Sequence, residues 1–180
     1  SRSIKPSPAV FTSAEIDSIG IELEIGFHIN QALPDPSDPD FEALVRQRVS
    51  PVAVIEVCDT RLKDLDAATP LQKLADNQLN GGLVVDEPCD NWDGLDMSGV
   101  TAKLVFGTET VLDGPAPVPA GDAFNTLLGI GRQQGSHCGG LKPGQYVITG
   151  SVNGLPFIER GIPVHARIEG LGELQVDFPL

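Results

Sequence analysis

From Ile19 to Ile29 the chain alternates without a break. Ile19, Ile21, Leu23, Ile25, Phe27 and Ile29 take the odd positions, and Gly20, Glu22, Glu24, Gly26 and His28 the even ones. Successive side chains of a strand point to opposite faces, whereas a helix repeats every 3.6 residues. The segment therefore predicts a strand with one fully apolar face, and the fold must place a core beneath it. The opposite face is peculiar: two glycines, two acids and a histidine.

The rest of the sequence supplies more strands than helices. A helix is predicted from Pro39 to about Val49, with Asp38 as N-cap and Pro39 in the first turn; Phe41, Leu44, Val45 and Arg48 share a side of it. Pro51 to Cys58 reads as a strand buried on both faces, interrupted by one acid, Glu56. A short helix is expected from Pro70 to about Leu79, capped by Thr69 and stopped by Gly81. Short strands follow at 83–85 and 100–106, with a turn at Asp113-Gly114. Asp122 caps a helix running to Gln133. The last third is glycine-punctuated, with strands at 145–149, 155–159, 164–169 and 174–178. Asn153-Gly154 and Gly170-Leu171-Gly172 are the hairpin signals there. The expectation is a mainly β (α+β) domain spanning 1–180, a mixed sheet folded over itself with a few short helices. Its 180 residues, 41% hydrophobic, suffice for one sizeable core.

Charge and cysteine content narrow the setting. Twelve basic against 25 acidic residues give a formal net charge of −13, which repels a phosphate backbone and argues against nucleic acid as a partner. No apolar run approaches the roughly 20 residues of a membrane span. Cys58, Cys89 and Cys138 are odd in number, widely spaced and lack a C-x-x-C pair. That usage fits a reducing, cytoplasmic compartment rather than a disulfide scaffold, and no leader peptide is visible. The chain starts at Ser1 without methionine, and SRSIKPSPAVF reads as mid-protein text. An N-terminal segment upstream is the expectation; cleavage or cloning would give the same start.

Glu22 and Glu24 lie two apart on the predicted strand, so their side chains point the same way with Cα atoms roughly 6.6 Å apart. Two such carboxylates repel unless a positive charge sits between them. A hard divalent cation meets that need, and Gly20 and Gly26 are expected to leave the face open to it. A solvated strand face carries alternating glutamate equally well. Glu56 tips the balance, because a solvated face is implausible inside Val-Ala-Val-Ile-Glu-Val. A buried carboxylate needs a partner. The choices are a metal shared with Glu22 and Glu24, or a buried ion pair with Arg61 or a lysine. His28 lies too far along the strand to join easily and reads as a surface or hydrogen-bonded residue. His137 and His165 show no metal-ligand spacing; Cys58, two residues after Glu56, would be a softer ligand but is expected to pack in the core instead.

Five segments occur in order: GIELEIGFHI, PVAVIEVCDTRL, KLADNQLNGGLVV, GGLKPGQYVITGSVNG and GLGELQVDF. Together they resemble the 2-keto-4-pentenoate hydratase and 4-oxalocrotonate decarboxylase family of the fumarylacetoacetate hydrolase superfamily, over nearly the whole chain. The resemblance implies that superfamily's β-roll and Mg²⁺ or Mn²⁺ held by Glu22, Glu24 and Glu56. It also implies a small 2-oxo acid substrate near Asp76 and Asn77, with Thr149 and Ser151 holding its carboxylate. From the residues alone, Asp76 and Asn77 read equally as helix polarity, and Thr149 and Ser151 as a turn. The implied reaction is hydration of 2-hydroxypenta-2,4-dienoate (2-keto-4-pentenoate) in aromatic meta-cleavage catabolism. Decarboxylation of a 4-oxalocrotonate-type acid and a non-catalytic structural partner are the alternatives; C–C bond hydrolysis is a more distant one, which wants a general base, and no His-Glu pair is there to assign to it. A homo-oligomer is expected, or a complex with a related pathway enzyme. Two departures stand out: the family's upstream catalytic lysine has no match in this chain, and GRQQGSHCGG is unusual text before the L-K-P-G loop.

Overall fold

The computed structural model describes residues 3–180. Two mixed sheets share one core. The first is built from β1 (Ile4–Pro6), β3 (Ile19–Ile29), β4 (Val49–Cys58), β5 (Asn80–Val85), β8 (Tyr146–Ser151) and β9 (Phe157–Ile158). Its order is β1-β5-β4-β3-β8, with β9 on the start of β3. The second is built from β2 (Ala9–Val10), β6 (Gly99–Phe106), β7 (Glu109–Pro117), β10 (Val164–Ile168) and β11 (Gly172–Asp177), in the order β2-β11-β10-β6-β7. All pairings are antiparallel except β1–β5 and β2–β11. Among the described residues three α-helices accompany the sheets: α1 (Phe41–Arg48), α2 (Pro70–Ala75) and α3 (Ala123–Gln134). The mainly β, mixed-sheet expectation is borne out.

The odd face of β3 is the floor of the core. Its six apolar side chains are all buried and join Leu104, Val164, Ile168, Leu174 and Val176 of the second sheet in one cluster. Fully burying such a side chain contributes roughly 1.5–3 kcal/mol, so this face fixes the register of β3. Phe124, Leu127 and Leu128 of α3 close one end, where Phe27, Trp92 and Phe124 meet with ring centroids 5.3–6.0 Å apart.

Several local expectations are corrected. Helix α1 starts at Phe41, with Asp40 at its N-cap position; Asp38 instead accepts from the Asp40 amide at 2.9 Å. Helix α2 keeps its Thr69–Gln72 capping box but ends at Ala75 rather than Leu79. Asn77, Gln78 and Leu79 have φ of 58°, 51° and 67°, which no right-handed helix accommodates. Asp113-Gly114 is no turn. It lies within β7, opposite Lys103 and Ala102, and Lys103 pairs with Asp113 at 3.0 Å. Pro115 and Pro117 are tolerated because β7 is an edge strand. Asn153-Gly154 does not close a hairpin either, since β8 and β9 both pair with β3 and not with each other. Asn153 stitches β3 instead: its Oδ1 accepts from the Leu23 amide at 2.6 Å, and its Nδ2 donates to the Ile21 carbonyl at 3.0 Å. The Gly170–Gly172 turn joins β10 to β11 as predicted.

Candidate metal centre

Antiparallel pairing of β3 with β4 puts Glu22 directly opposite Glu56, while Glu24 lies opposite Val54 on one side and Ser151 on the other. All three acids share the even face of the first sheet. Glu24 and Glu56 are buried and Glu22 is half-buried. Glu56 feels the charge of Glu22, and Glu24 that of both other acids.

Two strand irregularities bring donors to this cluster. Between Glu24 and Gly26 the register against β8 slips by one residue. Such a bulge re-aims the local backbone, and the Gly150 amide donates to Glu24 Oε2 at 2.6 Å. Gly150 holds φ 111°, a conformation that favours glycine. On the other flank, register shifts between Val57 and Cys58. The extra residue on β5 is Gly81, where a Cβ would lie 2.7 Å from Asp59 Cβ. This bulge sets Asn80 opposite Cys58, and Asn80 Nδ2 donates to Glu56 Oε1 at 2.5 Å.

Cys58 supplies a third donor. It is buried, as expected, but its thiol turns toward the acids and donates to Glu22 Oε2 at 3.2 Å. Ligand atoms of Glu22, Glu56 and Cys58 all lie within 4.8 Å of one another. Gly20 and Gly26 do not open the face. A Cβ at Gly26 would sit 2.6 Å from Val54 Cγ2, and one at Gly20 2.7 Å from Leu155 Cδ1. The glycines make room for tight packing around the acids, not for solvent.

The electrostatics follow from this crowding. Burial, then the charges of Glu56 and Glu22, push Glu24 up to about 8 against the pull of the Gly150 amide. Burial also raises Glu56, opposed by the Asn80 bond. Burial and the three neighbouring acids raise the Cys58 thiol. Among the described residues no lysine or arginine forms an ion pair with any of the three glutamates.

Arg61, the expected rival partner of Glu56, is committed elsewhere. Its Nε pairs with Asp76 Oδ1 at 2.6 Å, its Nη2 bonds the Asp76 carbonyl, and its Nη1 donates to the Asn80 carbonyl at 3.3 Å. Thr60 Oγ1 donates to Asp76 Oδ2 at 2.9 Å. Asp76 thus braces Arg61, Arg61 braces Asn80, and Asn80 holds Glu56. Asn77 is exposed on the left-handed turn that follows. Thr149 is buried and donates to the Ile25 carbonyl at 2.8 Å; Ser151 donates to the Gly154 carbonyl at 2.7 Å. His28 Nδ1 bonds Asn30 Oδ1 at 2.7 Å, the hydrogen-bonded role expected of it. A cavity of about 490 Å³ on the second sheet, beside Lys103, His165 and Arg167, shares no residue with the acid cluster.

Asn80 and Gly150 are the contributors that sequence reasoning missed; Cys58, assigned by it to the core, is buried but also faces the acids. The Asn80-Gly81-Gly82 run and the Thr149-Gly150-Ser151 glycine were the available signals, because an isolated glycine inside a strand pattern marks a bulge or a close backbone approach.

The fold is that of the fumarylacetoacetate hydrolase class. The chain superposes on 4-oxalocrotonate decarboxylase from Pseudomonas putida G7, complexed with magnesium and adipate, with a TM-score of 0.80 and 16% identity, covering 98% of this chain and 66% of that one. Fumarylpyruvate hydrolase from Pseudomonas aeruginosa, in complex with Mn²⁺ and pyruvate, gives a TM-score of 0.69 and 17% identity, covering 99% and 75%. In sequence, 2-keto-4-pentenoate hydratase of Paraburkholderia xenovorans (strain LB400) and 2-keto-4-pentenoate hydratase 3 of Pseudomonas putida are each 23% identical over 158 residues, 88% of this chain. The chain spans 58% of the length of these curated relatives. No family model matches. Relatives in sequence and neighbours in fold together bear out the resemblance to the 2-keto-4-pentenoate hydratase and 4-oxalocrotonate decarboxylase family. Among the described residues no helix is long and apolar enough to cross a membrane.

Proposed function

We propose that this chain forms the metal-holding part of a divalent-cation-dependent lyase acting on a small 2-oxo acid, with Glu22, Glu24 and Glu56 as the carboxylate ligands. One observation carries the reading: three carboxylates share one face of the sheet, and among the described residues no cationic side chain is paired to them. Such a cluster is costly as it stands and favourable around a 2+ ion. The magnesium and manganese in the neighbours' structures support the same choice for this site. Bound there, Mg²⁺ or Mn²⁺ would supply Lewis-acid stabilisation of the negative charge that develops on a 2-oxo acid.

The chain's own groups set the cluster's geometry and charge. Asn80, the Gly150 amide and the Cys58 thiol each hold one carboxylate oxygen, on Glu56, Glu24 and Glu22 respectively. Three carboxylates and one 2+ ion leave a net charge near −1, which an acidic substrate makes more negative. Hydrogen-bond donors around the cluster offset that charge. Asp76, Asn77, Thr149 and Ser151 belong to this reading as the substrate side of the site. Asn77 is the exposed member, and Asp76 and Thr149 act through the strands and loops they brace.

Hydration of 2-hydroxypenta-2,4-dienoate is the preferred reaction, because the curated relatives carry the hydratase name. Decarboxylation of a 4-oxalocrotonate-type acid is the second reading, favoured by the high structural likeness to 4-oxalocrotonate decarboxylase. The test is turnover of each acid by the full-length protein, followed by absorbance and product analysis with and without EDTA. Metal-dependent formation of the hydrated product supports the first reading; CO₂ release supports the second. Absence of any turnover by a protein that still binds metal would leave a non-catalytic partner role.

A further inference from the structure

Cys58 sits where a plain packing residue would serve the core equally well, yet its sulfur is aimed at the acids. We propose that Cys58 is a protein ligand of this metal site alongside the glutamates, raising its affinity for borderline cations such as Zn²⁺ or Co²⁺ above that of an all-carboxylate site. The inference rests on the metal reading above.

The geometry supports a shared ion. Donors bound to one divalent cation at about 2.0–2.3 Å lie roughly 3–4.5 Å apart, depending on the angle between them. Sγ of Cys58 lies 3.2 Å from Glu22 Oε2, and the ligand atoms of Glu22, Glu56 and Cys58 fall within 4.8 Å of one another. Two of these residues come from one strand and one from its neighbour, so the arrangement is held by the β3–β4 ladder rather than by a loop.

The surroundings hold the thiol in place. Cys58 pairs with Gly20, and a Cβ at Gly20 would come within 3.0 Å of Cys58 Cβ. The missing side chain therefore gives Cys58 its position. Glu22 is only half-buried and offers a way in for the ion.

The chemistry then follows from donor softness. Carboxylates alone suit Mg²⁺, Ca²⁺ and Mn²⁺; a sulfur donor moves the preference toward Zn²⁺ and its neighbours. The thiol proton leaves to solvent as the metal–sulfur bond forms, so no other reactant is needed.

The test uses the chain stripped with EDTA under reducing conditions, with Cys89 and Cys138 replaced by serine so that any sulfur signal belongs to Cys58. Co²⁺ is titrated while near-ultraviolet sulfur-to-cobalt charge transfer is recorded. Zn²⁺ and Mn²⁺ affinities are measured by calorimetry for this protein and for its Cys58→Ser and Cys58→Val derivatives. Far-ultraviolet circular dichroism checks each fold, and two replacements of different polarity guard against one that misfolds. The expected result is a charge-transfer band that both replacements abolish. Zn²⁺ affinity should fall at least tenfold and Mn²⁺ affinity change less than threefold. Co²⁺ binding without the band, at an unchanged Zn²⁺-to-Mn²⁺ ratio, would overturn the sulfur ligand while leaving the carboxylate site standing. Failure of every divalent ion to bind would overturn both.

Discussion

Glu56 and Glu24 are the two buried acids of the cluster, and each makes a prediction. Replacing Glu56 by glutamine removes one like charge from the cluster but keeps the Asn80 bond to a side-chain oxygen. We expect Glu56→Gln to lose divalent-metal binding and metal-dependent activity. In EDTA its melting temperature should be unchanged or higher by a few degrees, since about 1 kcal/mol shifts a domain of this size by roughly 2–4 °C. Calorimetry with Mn²⁺ and a thermal melt in EDTA decide it; unfolding of the metal-free variant with metal affinity intact would make Glu56 a structural acid. Glu24 predicts a pH dependence. Its folded value, about 8, lies above the ordinary 4.5. A raised acid stabilises the fold fully below the unfolded value, and that contribution is lost as pH rises through the folded one. Metal-free protein should therefore weaken between about pH 4.5 and 8, by at most about 1.4 kcal/mol per pH unit from this group. Saturating divalent cation should flatten the dependence, because it holds Glu24 ionised. Urea denaturation at pH 6 and 8, with Mn²⁺ and with EDTA, gives the comparison; a metal-free protein equally stable at both values would contradict the assignment.

At the scale of elements, β3 is both core strand and site strand, and its neighbours are irregular where the acids need donors. The bulges at Gly81 and Gly150 turn an asparagine and an amide onto carboxylates, which a regular ladder would not do. Past the end of β8, Asn153 replaces a missing strand partner for Ile21 and Leu23. Asn153→Ala should destabilise the fold by about 1–3 kcal/mol, since it strands an amide and a carbonyl of β3. Loss of less than 0.5 kcal/mol in chemical denaturation would show that water substitutes for it. Alternation made β3 legible, and capping chemistry made α3 legible: Asp122 accepts from the Asn125 amide at 2.7 Å. The two bulges were not legible, because a bulge is defined by the partner strand, which a single segment does not contain.

At the scale of the whole molecule, the two sheets enclose the apolar side of β3 and leave its acidic side facing away from that core. The opposite side carries a smaller apolar cluster, Val52, Val54, Leu83 and Val85, next to the acids. Leu71 and Leu74 of α2 are exposed at 77% and 61%, as is half of Phe157. Exposed apolar side chains of this kind are available for contact with other chain segments or subunits. We propose, from the family resemblance, that the protein assembles as a homo-oligomer. Light scattering coupled to size-exclusion chromatography tests it, and a monomer at micromolar concentration would count against it.

Sequence alone determined the strand that organises the fold, the side on which its acids lie, and the mixed β architecture. Those properties are local: alternation, capping and glycine placement act over a few residues and do not depend on distant partners. Sequence also singled out Glu56, because an acid inside an apolar run demands a partner wherever it ends up. Only the tertiary structure decided which partner. It set Glu56 opposite Glu22, sent Arg61 to Asp76, and brought Asn80, the Gly150 amide and the Cys58 thiol onto the carboxylates. The Glu22–Glu56 and Cys58 contacts depend on strand pairing, and those of Asn80 and the Gly150 amide also on a one-residue slip in register. Pairing is fixed by burial summed over the whole core, so no single segment could reveal it.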